Sequence, residues 1–231
     1  MAGEVTPSPS KIANSDKWST AFFHSTNPSS DNGGVKTVLF DVDTQLDFLY
    51  PAGALAVPGG AALVSVLGEL TRLAGARQYP VISTADAHAE NDPEFSQWPP
   101  HCVSGTFGQM KTRVTLLPKV ISLPNVRATD EQLRTAANSP QVVIEKQTID
   151  CFTNVNLRPL LEAIQADRYV VYGVVAEICV AKAVFGLLET GKPVELVTDG
   201  TKALSDDEYR NMLAHFQAAG GRLTTLGELL Q

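Results

Sequence analysis

The sequence predicts a three-layer α/β/α fold built on a central, mostly parallel sheet of about six strands. Three observations carry this. From residue 35 onward, short apolar runs alternate with stretches of helical spacing, the order that winds helices over both faces of a parallel sheet. The apolar runs are nearly continuous, as in strands that are covered on both faces. With 231 residues, 44% of them hydrophobic and 19% charged, the chain can bury the sizeable core such a sheet needs.

Residues 1–34 are rich in Ser, Pro, Asn and Gly and show neither helical nor strand periodicity. They read as a flexible or loosely docked N-terminal extension. Within it, Trp18, Phe22 and Phe23 are suited to docking on the domain or on a second subunit. Residues 35–231 are expected to form the domain. Its first strand is expected at 35–40 (V-K-T-V-L-F), followed by a helix at 61–73 and a second strand at 79–83. Residues 141–144 (Q-V-V-I) make a third strand, and 157–164 a helix. The run 169–175 (Y-V-V-Y-G-V-V) is a strand, 178–190 a helix, and 193–198 a strand. A helix at 206–219 and a short strand at 222–225 follow, and no internal repeat is visible.

A net charge of −7 argues against nucleic-acid binding, which needs clustered Lys and Arg to replace counterions. The longest basic cluster, residues 111–113, is far too short for that. Three cysteines, Cys102, Cys151 and Cys179, are no disulfide framework in a chain of this length, and an odd count leaves a free thiol. Both features fit a reducing compartment. No run approaches the roughly 18 apolar residues of a membrane span, and the N-terminus lacks the pattern of a secretory signal. A cytoplasmic protein without nucleic-acid or membrane partners is expected.

In parallel sheets, binding residues gather at the carboxyl ends of strands. Asp43, Lys146 and Cys179 each fall where an expected strand ends. Cys179 also opens the following helix, where unpaired N–H groups and the helix dipole favour a thiolate and can hold an oxyanion. Asp43 can accept the thiol proton. Lys146 can lower the pKa of either neighbour or steady developing negative charge. Nucleophile, base and cation are what acyl transfer from an amide requires. Cys179 equally fits a buried packing cysteine, and position alone does not separate the two.

After the second strand comes Asp86-x-His88, whose side chains share one face of an extended segment. His101 follows, with Glu94 between them. Two His and one or two carboxylates suit one divalent ion, zinc first, with iron or manganese as alternatives. A pair of surface histidines in a loop is the competing reading. His24 and His215 read as structural or solvated.

These residues sit in strings that resemble the nicotinamidases, members of the isochorismatase-like cysteine hydrolase superfamily. The resemblance runs from about residue 35 to residue 230. Asp43-Thr44-Gln45-Leu46-Asp47-Phe48 is similar to the family's D-x-Q-x-D-F signature, and residues 53–60 (G-A-L-A-V-P-G-G) to the loop after it. Asp86-Ala87-His88 and residues 98–106 (W-P-P-H-C-V-S-G-T) resemble the metal segment. Residues 173–180 (G-V-V-A-E-I-C-V) resemble the turn that bears the nucleophile. Two positions depart from the nicotinamidase pattern. Leu46 stands where Asn is usual, and the segment after Lys146, residues 147–152, is short, as in isochorismatase-type relatives.

The resemblance implies an isochorismatase-like (Rossmann-like) fold and deamidation of nicotinamide to nicotinate and ammonia through a cysteine thioester. Cys179 would be the nucleophile, Asp43 the proton acceptor, and Lys146 the cation holding both. The backbone N–H groups of Val175 and Cys179 would face the oxyanion, with a cis peptide between Val174 and Val175. Asp86, His88 and His101 would bind the metal, Glu94 offering a fourth ligand, and Phe48 and Trp98 would sandwich the substrate ring. Cys102 and Cys151 follow no strand into a helix and read as packing thiols. A homo-oligomer acting on a small-molecule amide is expected. An amidase for another small amide or ureide, and a catalytically silent binding module, remain as alternatives.

Overall fold

Seven strands make one sheet: β1 (Thr37–Val42), β2 (Val81–Asp86), β3 (Val120–Leu123), β4 (Gln141–Lys146), β5 (Arg168–Val174), β6 (Val194–Lys202) and β7 (Arg222–Thr224). They lie in the order β3-β4-β2-β1-β5-β6-β7, and every pairing is parallel. The computed structural model describes residues 35–231, so the reading of residues 1–34 lies outside the described residues.

The helices are α1 (Leu46–Leu49), α2 (Gly60–Arg77), α3 (Asp130–Ala137), α4 (Leu157–Ile164), α5 (Ala181–Leu188), α6 (Asp206–Ala218) and α7 (Leu226–Leu229). Side chains of β1 alternate between the faces of the sheet. Val38, Phe40 and Val42 join a core with Leu160 and Ile164 of α4, Val184 of α5 and Phe216 of α6. Leu39 joins the opposite core with Leu63, Leu67 and Leu70 of α2. These two cores make the outer layers of the α/β/α fold.

The sheet has seven strands rather than about six. The extra one, β3, is four residues long at the edge of the sheet, and only Leu123 of it is buried. Its V-I-S-L run is apolar but only four residues long and stops at Pro124, too short to show a strand period. Helix α3 also lay outside the sequence expectation, although Thr129 and Gln132 form a reciprocal capping box at its start. Among the described residues no helix is long and apolar enough to cross a membrane.

Two details of register place the site. Strands β2 and β4 pair Asp86 directly with Lys146 at their last residues. In β5, Gly173 has φ +122°, and a Cβ there would lie 2.0 Å from the Val42 carbonyl oxygen. Only glycine lets β5 lie this close to β1, and it does so just before the chain turns into the segment bearing Cys179.

Candidate active site

Asp43 follows β1 in a left-handed conformation, φ +48°. The Thr84 hydroxyl holds it there, donating to Asp43 Oδ1 at 2.6 Å and accepting from the Asp43 N–H at 3.2 Å. Lys146, fully buried at the end of β4, forms an ion pair with Asp86 Oδ1. Its Nζ is also 2.9 Å from Asp43 Oδ2 and donates to Cys179 Sγ at 3.7 Å. The Asp43 Oδ2 atom has no hydrogen bond of good geometry, so the close lysine is an off-line charge contact. Strand ends distant in sequence thus converge on one ammonium.

Burial favours neutral forms, and neighbouring charges decide what survives. Burial would discharge Lys146, but Asp43, Asp86 and Cys179 hold its pKa well above the ordinary value. Burial would also raise Asp86, yet Lys146 draws it far below the usual carboxylate range. Asp43 moves the other way: burial raises it, Lys146 only partly offsets this, and the Asp86 charge raises it further. Burial likewise pushes the Cys179 thiol well up, opposed by Lys146 and reinforced by Asp43 and Asp86. Both the Cys179 thiol and the Asp43 carboxyl are thus raised by burial, with Lys146 the neighbour that opposes the shift in each.

The nucleophile segment also differs from a plain helix start. The Val174–Val175 peptide is cis, as the resemblance implied. The Val175 carbonyl then accepts from the N–H groups of both Ile178 and Val180, at 3.1 and 3.0 Å. These bonds skip the amide of Cys179 and wind residues Ala176–Val180 into one wide π turn, with α5 beginning only at Ala181. Cys179 sits in that turn, against the cavity rather than along a helix face.

On the other side of Lys146, ligand atoms of Asp86, His88 and His101 lie within 4.8 Å of one another, all three residues buried. The Nε2 atoms of His88 and His101 are 3.8 and 3.7 Å from Asp86 Oδ2. His101 Nδ1–H donates to the Pro99 carbonyl at 2.8 Å, a bond that favours the tautomer with its lone pair on Nε2. His88 Nδ1 is 3.1 Å from Asp92 Oδ2, and its Nε2 is buried without a hydrogen-bond partner. A buried, unpartnered imidazole nitrogen facing a carboxylate and a second imidazole fits a divalent cation. Glu94 does not join this cluster; it lines the cavity beside it, its pKa raised by burial and by the Asp86 charge.

The cavity that unites these groups is small, about 30 Å³. Phe48, Trp98 and Ile149 line it together with Asp86, His101 and Cys179, and Phe48 stands 5.4 Å from the His101 ring. A surface depression near Arg158 and Lys192 is larger, about 720 Å³, but the converging buried charges are in the small cavity, and chemistry outweighs volume. Burial raises the thiols of Cys102 and Cys151 well above the ordinary range, and neither lines this cavity.

Several neighbours escaped the sequence reading. Thr84 had a signal, since it lies two residues before Asp86 on the same face of β2. Asp92, four residues after His88, had a weaker one. The Gln45 side chain pairs with the Asp86 backbone through bonds of 2.7 and 2.9 Å, and so explains the Gln of the signature. Asp47 accepts from the N–H groups of Ala54 and Cys102 at 3.0 and 2.7 Å, bonds that do not involve Leu46. Leu204, also in the cavity wall, had no sequence signal at all.

Comparison with known proteins finds relatives of the same fold. The chain is 23% identical over 201 residues to the nicotinamidase of Saccharomyces cerevisiae, covering 75% of this chain and 90% of that one. The crystal structure of Pyrococcus horikoshii pyrazinamidase in complex with zinc superposes with a TM-score of 0.69 at 26% identity, covering 82% of this chain and 99% of that one. PnC1 from L. infantum, solved with nicotinate, gives a TM-score of 0.67 at 28% identity, covering 83% and 93%. The isochorismatase domain matches residues 37–228, nearly the whole described chain, and the protein therefore belongs to the isochorismatase family.

Proposed function

We propose that this family member is an amidohydrolase that converts nicotinamide to nicotinate and ammonia, with Cys179 as nucleophile. One observation carries the reading: a single buried ammonium, Lys146, touches Asp43, Asp86 and Cys179 at once. Asp43, whose Oδ2 has the Lys146 charge contact but no well-formed hydrogen bond, and whose basicity is raised, takes the thiol proton as sulfur attacks the carboxamide carbon. Lys146 compensates the negative charge that the new thiolate brings into a buried site. The backbone N–H groups of Val175 and Cys179 face the developing oxyanion. Collapse of the tetrahedral adduct breaks the C–N bond, and the proton on Asp43 leaves with ammonia. Water then gives a proton to Asp43, its hydroxide displaces the sulfur to release the acid, and the proton on Asp43 returns to the Cys179 thiolate.

Asp86, His88 and His101 would hold a divalent ion, which would supply a Lewis-acidic anchor for water or a ring nitrogen. The aromatic walls Phe48 and Trp98 hold the ring flat beside it. The zinc in the Pyrococcus horikoshii structure and the nicotinate in the L. infantum structure support this assignment. The short segment after Lys146 places Ile149 in the cavity wall, and favours as second reading a different small amide handled by the same Cys179, Asp43 and Lys146.

Incubation with nicotinamide, benzamide and simple ureides, with ammonia as readout, tests the proposal. Release from nicotinamide in preference to the others is expected. Release from none of them overturns the enzyme reading, and preference for a ureide selects the second one.

A further inference from the structure

The wall residue Leu204 reaches the cavity from the loop after β6, close to the nucleophile turn. Its N–H and that of Ser205 both donate to one oxygen of Glu177, Oε1, at 2.9 and 3.0 Å. Glu177 lies two residues before Cys179, inside the wide turn. Its other oxygen, Oε2, is buried without a hydrogen-bond partner, so these two amides are the hydrogen bonds this carboxylate makes among the described residues. Hydrogen bonds to a charged acceptor are about twice as strong as neutral ones. The Ser205 side chain meanwhile caps α6, accepting from the Glu208 N–H at 3.3 Å. The loop is therefore fixed at both ends, to the nucleophile turn and to a helix.

The Leu204 side chain is 41% exposed, yet it lines the cavity beside Ile178 and Val175. It stands at the mouth, one side in solvent and one toward the substrate space. Because the cavity holds only about 30 Å³, a ring must displace part of its wall to enter, and a wall side chain at the mouth limits how large that ring can be.

We infer that Glu177 and Leu204 act as one size-selecting device: Leu204 is the wall that rejects bulky aromatic amides, and Glu177 is the positioning residue that holds it over the cavity. This rests on the reading of the cavity as a carboxamide site. Removing several methyl and methylene groups from a wall shifts discrimination by roughly 10- to 200-fold per methylene-sized change.

The test compares nicotinamide with quinoline-3-carboxamide, a bulkier aromatic amide, in the full-length protein. In Leu204→Ala, the kcat/KM ratio of bulky to small amide is expected to rise about tenfold or more, chiefly through KM. Glu177→Ala shifts the ratio the same way, and Glu177→Gln, which keeps a neutral acceptor oxygen, shifts it less. The double variant Glu177→Ala/Leu204→Ala exceeds neither single variant, because both remove the same wall. Amide hydrogen exchange at Leu204 and Ser205 is expected to be about tenfold faster in Glu177→Ala than in the parent. An unchanged ratio in Leu204→Ala overturns the inference. So does a Glu177→Ala variant that slows both amides equally, with exchange at 204 and 205 unaltered. If the parent protein hydrolyses neither amide, the amidase reading fails, and the exchange experiment still decides whether Glu177 holds the loop.

Discussion

Two buried lysines stand near the carboxyl ends of the central strands, and their surroundings differ. Lys111 pairs with Asp41 at 3.0 Å and donates to the Thr84 carbonyl at 3.1 Å. Both oxygens of Asp41 are further engaged, by Thr44 and Ser83 hydroxyls, each at 2.9 Å. That centre is closed. Lys146 instead faces two carboxylates and a thiol beside a cavity, and one oxygen of Asp43 is left without a well-formed hydrogen bond. The same chemistry of a buried cation with carboxylates yields a structural centre when every acceptor is satisfied, and a reactive one when an acceptor is left over. Thr84 links the two, its carbonyl accepting from Lys111 and its hydroxyl donating to Asp43.

The largest effect that can break this contrast is at the sulfur. Cys179→Ala is expected to lower kcat by a factor of about 10³ or more with the fold retained. Near-normal ammonia release in that variant would remove Cys179 from the chemistry.

Substituting each lysine by Met sharpens the contrast. Both variants strand a buried carboxylate, and urea unfolding should show a loss of about 3–5 kcal/mol for each. Turnover should distinguish them, with Lys146→Met losing far more than Lys111→Met. Removing Asp41 as well, in Lys111→Met/Asp41→Leu, should recover most of the stability. The double variant Lys146→Met/Asp43→Leu should remain inactive.

Stripping the metal should act on the cavity side alone. Protein purified without chelator is expected to carry about one ion per chain. Its removal should raise KM for nicotinamide by roughly tenfold or more while kcat changes less. Loss of kcat at constant KM would reverse the assigned role.

The smallest effect tests the link. The Thr84 hydrogen bond lowers the Asp43 pKa, which burial raises. Replacing Thr84 by Val removes that lowering, so Asp43 holds its proton to higher pH. Activity that needs its carboxylate form should therefore appear later as pH rises. The acidic limb of the kcat/KM profile is expected to move upward in Thr84→Val, and a limb that stays in place would separate Thr84 from Asp43 function.

Much of this was legible along the chain because strands announce themselves by apolar runs and reacting groups cluster where those runs stop. Asp43, Asp86, Lys146 and Cys179 could be found in this way, and His88 and His101 by their spacing and motif. Strand β3 was not, since four residues closed by Pro124 are too short to show a strand period. Glu94 stood at a plausible ligand position in sequence, but the folded 3-10 turn Pro93–Ser96 places it on the cavity wall instead of in the three-residue cluster.

The sequence alone determined which chemical groups arrive at the sheet's carboxyl edge, because local periodicity and Gly, Pro and polar punctuation set where each strand ends. Only the tertiary structure decided how those groups share charge. That Lys146 serves three partners, that one Asp43 oxygen has a charge contact without a well-formed hydrogen bond and that Leu204 lines the cavity depend on strand order and on loops brought together across the sheet. Desolvation and Coulomb forces act through distance in space, to which spacing along the chain is a poor guide.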